Sequence, residues 1–206
     1  MMKAVLTGDI VNSTQLGAAR EKKLLRLIAQ VLSPYKYEFY RGDSFQAYVT
    51  AADKGLRLAL QCRMAAISLA DELAPPLFDV RVSIGIGPVP LPVRTLSTAK
   101  GEAFVLSGRA FDNLEQQGER LAIITGNPLA NEGLQVIADY INAILNNMTV
   151  KQAAVIFELL NGHTQQTVAE KMKRSKSTIH QHVTAGRWPE IEKLLQQYEH
   201  IIHQIM

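Results

Sequence analysis

Cysteine is almost missing from this chain of 206 residues. The one present, Cys62, can neither close a disulfide within the chain nor build a thiolate metal cage, and a reducing compartment follows. No uninterrupted apolar run approaches the roughly 18 residues that a membrane span needs. The opening MMKAVLTGDI offers too few apolar residues before Gly8 and Asp9 for a signal peptide, so a soluble, cytoplasmic protein is expected. No charge of one sign dominates either, with 22 Lys and Arg against 19 Asp and Glu and a net charge of +3. Aromatics are sparse at 6%, but 47% hydrophobic and 20% charged residues are ordinary globular usage and exclude a disordered or fibrous chain. The length suits one domain with a small companion, or two modest domains.

The distribution of charge says more than its sum. Residues 1 to 148 are close to neutral, residues 149 to 188 carry six cations against two carboxylates, and the remainder is acidic. A short basic segment behind a neutral region directs any polyanion partner to the C-terminal part, although a solvated surface has the same composition.

The pattern along the chain predicts a strand over Lys3 to Thr7, then a helix capped by Ser13 or Thr14 and running to Leu32. A hairpin follows over Tyr35 to Val49, broken at Arg41-Gly42-Asp43. A helix over Ala51 to Leu73, ended by Pro75-Pro76, leads to a strand over Phe78 to Val89. This β-α-β-β-α-β order predicts the ferredoxin-like split βαβ arrangement, an antiparallel sheet with both helices on one face. Beyond it come a proline-rich loop, a helix near Ala103 to Gln117, a strand over Leu121 to Thr125 and a helix over Pro128 to Asn146. The expected fold class is therefore α+β, with a ferredoxin-like domain over residues 1–147 and an all-α domain over residues 148–206.

In the split βαβ arrangement the end of the first strand and the turn of the hairpin share one edge, which makes Asp9 and Asp43 neighbours. Two carboxylates close together raise one another's pKa unless a cation lies between them. Magnesium or manganese held by both, with phosphates completing the shell, is one solution. The alternative is local: Asp is favoured at turns and caps for its own hydrogen bonds.

The string TGDIVNST, Thr7 to Thr14, resembles the first metal motif of class III nucleotidyl cyclases, and FYRGDSF, Phe39 to Phe45, resembles their second motif and the GGDEF turn of diguanylate cyclases. RVSIGIG, Arg81 to Gly87, and GEAFVLSGRA, Gly101 to Ala110, resemble the later strand and helix. The resemblance implies Asp9 and Asp43 as metal ligands, with Ile10, Ser13, Thr14, Phe39, Gly42 and Arg109 around a nucleotide. Catalytic candidates under it are Asp9, Asp43 and Arg109. It also implies a change: Val105 stands where cyclases place a ribose-orienting Asn, and Phe39 stands where they place a base-selecting lysine. The metal-phosphate half is kept and the base half altered, which suits nucleotide binding as well as turnover. As a whole chain the sequence resembles the SatD family of bacterial proteins.

From Thr149 the composition predicts three short helices, with stops at Asn161-Gly162 and Lys173-Arg174 and caps at Thr149, Thr164 and Ser175. Val168, Ala169, Met172, Ile179 and Val183 fall where a helix-turn-helix packs. The span Thr149 to His182 resembles the DNA-binding modules of LuxR-type and sigma-region-4-type regulators. In such a module Lys176, Ser177, His180 and Gln181 face base edges, while Thr164, Lys173, Arg174 and Arg187 meet phosphates. The alternative is a protein-interaction domain with a solvated basic face. A last helix from Trp188 carries Ile191, Leu195, Tyr198, Ile202 and Ile205 at the spacing of a helix seam, either for a second copy or for packing within the chain. The five histidines lack the arrangement of a zinc site.

Three functions follow from these readings. The first is a DNA-binding transcriptional regulator whose cyclase-like domain senses a nucleotide through a divalent metal, working as a homodimer on double-stranded DNA. The second is a divergent nucleotidyl cyclase or nucleotide-processing enzyme with an accessory module. The third is a scaffold in which neither site acts.

Overall fold

A computed structural model describes residues 2–12, 17–40, 42–70 and 78–206. The expected cap at Ser13 or Thr14, Arg41 of the hairpin turn and the Pro75-Pro76 stop lie outside the described residues. Five strands form one sheet: β1 (Met2–Ile10), β2 (Lys36–Tyr40), β3 (Ser44–Val49), β4 (Val80–Pro88) and β5 (Leu121–Thr125), in the order β2-β3-β1-β4-β5. The first four pair antiparallel with β1 between β3 and β4, as the split βαβ order requires. The fifth joins β4 in parallel, because the chain crosses over the sheet through α3 (Glu102–Gln117) before β5 begins.

Strand alternation gives the sheet two different faces. On one, Ala4, Leu6, Ile10 and Phe45 meet Leu24, Ile28 and Leu32 of α1 (Ala18–Leu32) and Leu56, Leu60 and Met64 of α2 (Gly55–Ile67). On the other, Val5 and Tyr48 pack beneath Ala103 and Phe104 of α3 and Leu96 of the loop before it. Helix α3 lies so near β4 that a Cβ on Gly85 would sit 2.2 Å from the Ala103 carbonyl oxygen, so glycine is needed there for the backbones to meet.

Helix α2 is shorter than its apolar periodicity predicts. A short 3-10 turn, Ala52–Lys54, precedes it, and it stops at Ile67, where the Ser68 hydroxyl donates to the Ala65 carbonyl and tighter backbone bonds take over at Leu69 and Ala70.

Helix α4 (Pro128–Leu145) starts at an Asn127 cap and covers β5. Then come α5 (Val150–Leu160), α6 (Gln165–Met172), α7 (Lys176–Ala185) and α8 (Trp188–Ile205). Thr149 and Gln152 form a reciprocal capping box, Thr164 accepts from the Thr167 amide and Ser175 from the Thr178 amide. Such caps contribute about 1 kcal/mol each.

The C-terminal helices share the main core. Ala153, Ile156 and Leu160 of α5 and Ile191, Leu195, Tyr198 and Ile202 of α8 belong to one apolar cluster with the sheet and α2. The seam stripe of α8 is thus used inside the chain, against α4, α2 and the 3-10 turn. A smaller cluster, Val155, Leu159, Val168, Ala169, Ile179 and Val183, holds α5, α6 and α7 together. Among the described residues no helix is long and apolar enough to cross a membrane.

Candidate functional site

The β1–β3 register places Asp9 opposite Ser44, and the Ile10 amide donates to the Asp43 carbonyl at 3.3 Å. The two aspartates are neighbours in the chain path at one end of the sheet. Gly42 makes the intervening turn possible with a left-handed φ of 92°.

The side chain of Asp9 is already engaged. On the other flank of β1 it lies opposite Arg81 of β4, whose Nε and Nη2 donate to the two carboxylate oxygens at 3.1 and 2.9 Å. Glu115 of α3 stands 3.6 Å from the same nitrogen, and the guanidinium lies 5.6 Å from the centroid of the Phe111 ring. Its hydrogen bonds to Asp9 hold Arg81 above its ordinary pKa, so it stays charged. Both Asp9 oxygens are spent on a fork-shaped donor, leaving a bidentate pair where the resemblance implies a metal ligand. Among the described residues no three His, Cys, Asp or Glu side chains gather as a metal site would need. In this arrangement the donor set does not fit a divalent ion, since Arg81 has to leave before Asp9 can offer it an oxygen.

Two of the other residues implied by the cyclase resemblance lie on the opposite face of the sheet. Phe39 pairs with Phe45 and packs with the α1 and α2 layer, so its ring is on the face opposite Asp9 and cannot stack on a base held there. Ile10 is buried in that same layer. Val105 and Arg109 are exposed one turn apart on α3, and Ser13 and Thr14 lie outside the described residues. Sequence reasoning missed Arg81 as the partner of Asp9. Its only signal was an arginine opening the RVSIGIG strand, and the pairing spans 72 residues.

Beside Asp9 on its own face, the Thr7 and Ser107 hydroxyls are 2.9 Å apart, Gln46 donates to Thr7, and the Ser83 hydroxyl donates to the Ser107 carbonyl at 2.7 Å. These bonds tie β1, β3 and β4 to α3. The polar atoms there satisfy one another.

The C-terminal candidates do converge. Lys173, Arg174, Lys176, Ser177, His180 and Gln181 are all exposed around the start of α7, while Ile179 and Val183 hold its other side in the core. Lys173 ends α6 in a left-handed conformation, and the Arg174 amide donates back to the Ala169 carbonyl, which makes the turn sharp. Thr164 is exposed at the α6 cap. Arg187 departs from the group: it lies over the Tyr140 ring, 5.2 Å from its centroid, donates to the Tyr140 hydroxyl and bonds Glu190 at 3.1 Å.

No protein-family model matches the chain, and no curated protein matches it. Among solved structures, a bacterial light-regulated adenylyl cyclase shares 18% identity with a TM-score of 0.42, covering 59% of this chain and 74% of that one. A second structure of a bacterial light-regulated adenylyl cyclase gives 16% and 0.41 over 60% of this chain and 43% of its own. The active GGEEF domain of a diguanylate cyclase from Vibrio cholerae gives 14% and 0.42 over 62% and 84%. At such identities the likeness concerns fold alone, and the chemistry of each site has to come from its own geometry.

Proposed function

We propose that this protein is a DNA-binding regulator of transcription that presents α7 to the major groove of double-stranded DNA. One observation carries this reading: the basic and amide side chains around the start of α7 are all exposed together, on a helix whose opposite side is fully invested in the core. Lys173 and Arg174 then meet phosphates, and Lys176, Ser177, His180 and Gln181 reach base edges, with Gln181 able to pair adenine in a bidentate way. A homodimer supplies the second module that a two-fold operator needs.

The test is binding to a random-sequence duplex across a salt series. Lys173→Ala with Arg174→Ala should weaken binding and reduce the salt slope by about 0.9 for each phosphate that is no longer neutralised. Unchanged affinity and slope would remove the α7 surface from the reading.

A second reading is nucleotide binding, or a divergent cyclase activity with Mg²⁺ or Mn²⁺, at the edge of Asp9 and Asp43. The register that sets Asp9 opposite Ser44, the residue after Asp43, favours it. It requires Arg81 to release Asp9, so melting temperature with Mn²⁺ and nucleoside triphosphates should rise more in Arg81→Met than in wild type. Equal responses in the two proteins would count against it.

A further inference from the structure

Helix α1 and the edge strand β2 border a shallow, open groove of about 510 Å³ on the sheet face opposite Asp9. Glu21, Lys22, Leu25, Arg26 and Ala29 line it from one side of α1, following the three- and four-residue steps of a single helical stripe. Phe39 of β2 forms the opposing wall.

Lys22 and Arg26 are exposed one turn apart, and among the described residues neither has an ion-pair or hydrogen-bond partner. They are two cations against the single carboxylate of Glu21. The Phe39 ring is half-buried and meets Tyr37 and Phe45 edge-to-face, at centroid distances of 5.8 and 6.2 Å and interplanar angles of 88° and 68°. Neither aromatic neighbour stacks on it in parallel, and the ring lines the groove.

We propose that this groove binds a nucleotide unit, an aromatic base stacked on Phe39 with its phosphate between Lys22 and Arg26. Paired cations alone would serve any anion, but they would leave Leu25, Ala29 and Phe39 in water. A planar apolar group joined to a phosphate uses both halves. An anionic membrane is a poorer match, because Leu24, Ile28 and Leu32, the apolar face with which α1 would enter lipid, are already buried against the sheet. Free mononucleotides and single-stranded nucleic acid offer the same unit.

The test titrates the full chain by calorimetry with adenosine 5′-monophosphate, inorganic phosphate, an oligodeoxythymidylate of about eight nucleotides and phosphatidylglycerol vesicles. The nucleotide should bind at least about 10-fold more tightly than phosphate, and Phe39→Ala should weaken it by about 10-fold. Lys22→Glu with Arg26→Glu, on the exposed side of the helix, should abolish binding. Phe39→Trp should retain it, with tryptophan emission quenched by the base beyond any change in wild type. If Phe39→Ala fails to fold, the charge reversal and Phe39→Trp still decide. A tighter oligonucleotide assigns the groove to single strands, and a mononucleotide that binds as well assigns it to free nucleotide.

Binding should survive Lys173→Ala with Arg174→Ala, which separates this groove from the α7 surface. Equal affinity for phosphate and nucleotide, wild-type affinity in both the Phe39→Ala and charge-reversed proteins, binding to vesicles alone, or no binding at all would overturn the proposal.

Discussion

Arg63 is a fully buried charge, and its pairing shows what a single residue can hide in a sequence. Its guanidinium donates to both Asp79 oxygens, at 3.1 and 2.6 Å, and to the Asn142 side chain at 2.8 Å. Asn142 in turn donates to Glu119 at 3.0 Å. Four residues from four parts of the chain satisfy one another where α2, α4 and two strand ends meet. Removing one partner from a buried pair leaves the other charge uncompensated, so Asp79→Asn should lower stability by about 3–5 kcal/mol. Arg63→Met with Asp79→Asn should restore part of it. Urea midpoints for the three proteins check this, and a loss well under 1 kcal/mol in the single variant would contradict it. Arg63 sits inside a run of apolar residues that reads as an ordinary buried helix, and nothing local points to Asp79 or Asn142. Asp9 behaves the same way: the neighbourhood of Asp43 was legible from strand order, whereas its capture by Arg81 depends on a register between distant strands.

At the scale of elements, the antiparallel core, β5, the caps of α5, α6 and α7 and the contents of their shared core were legible, because each rests on local periodicity or a local hydrogen bond. The parallel placement of β5 and the early stop of α2 were not, since tertiary packing decides both. The segment before α3 is a further case. Glu38 of β2 accepts from the Leu96 amide at 2.8 Å and the Ser97 amide at 3.3 Å, while Lys36 donates to the carbonyls of Val93 and Arg94. One edge strand thus fastens a loop that composition marks only as proline-rich. The Leu96 amide, helped by the Tyr40 hydroxyl, holds the Glu38 carboxyl below its ordinary 4.5. Its contribution to stability is therefore fully present above pH 4.5 and fades as pH falls through the lower folded value. The Leu96 and Ser97 amide resonances should move with that titration, and amide exchange there should quicken in acid. Glu38→Gln should remove the pH dependence. Resonances that ignore pH through the acid range would show that Glu38 does not hold the loop.

For the whole molecule, the expected boundary between residues 147 and 148 lies beside Met148, which is buried in the main core. That core runs from the sheet through α2 into α5 and α8 without interruption. Calorimetric unfolding should accordingly show one cooperative transition, with calorimetric and van't Hoff enthalpies in agreement. Two resolved transitions would instead mark the helices from α5 onward as an autonomous domain. The stripe of α8 could be recognised as a seam from its spacing, but periodicity does not say which surface a stripe covers. Here the Tyr198 hydroxyl answers it, donating to the Ala52 carbonyl at 2.7 Å and lying against Gly55, where a Cβ would come within 2.9 Å of it.

That packing also sets an order of events during synthesis. The strands and their helices leave the ribosome first, but the apolar ground around Ala52 and Gly55 stays uncovered until Tyr198 and Ile202 emerge. The nascent chain carries an unfinished core until α8 has been made, and that helix closes it.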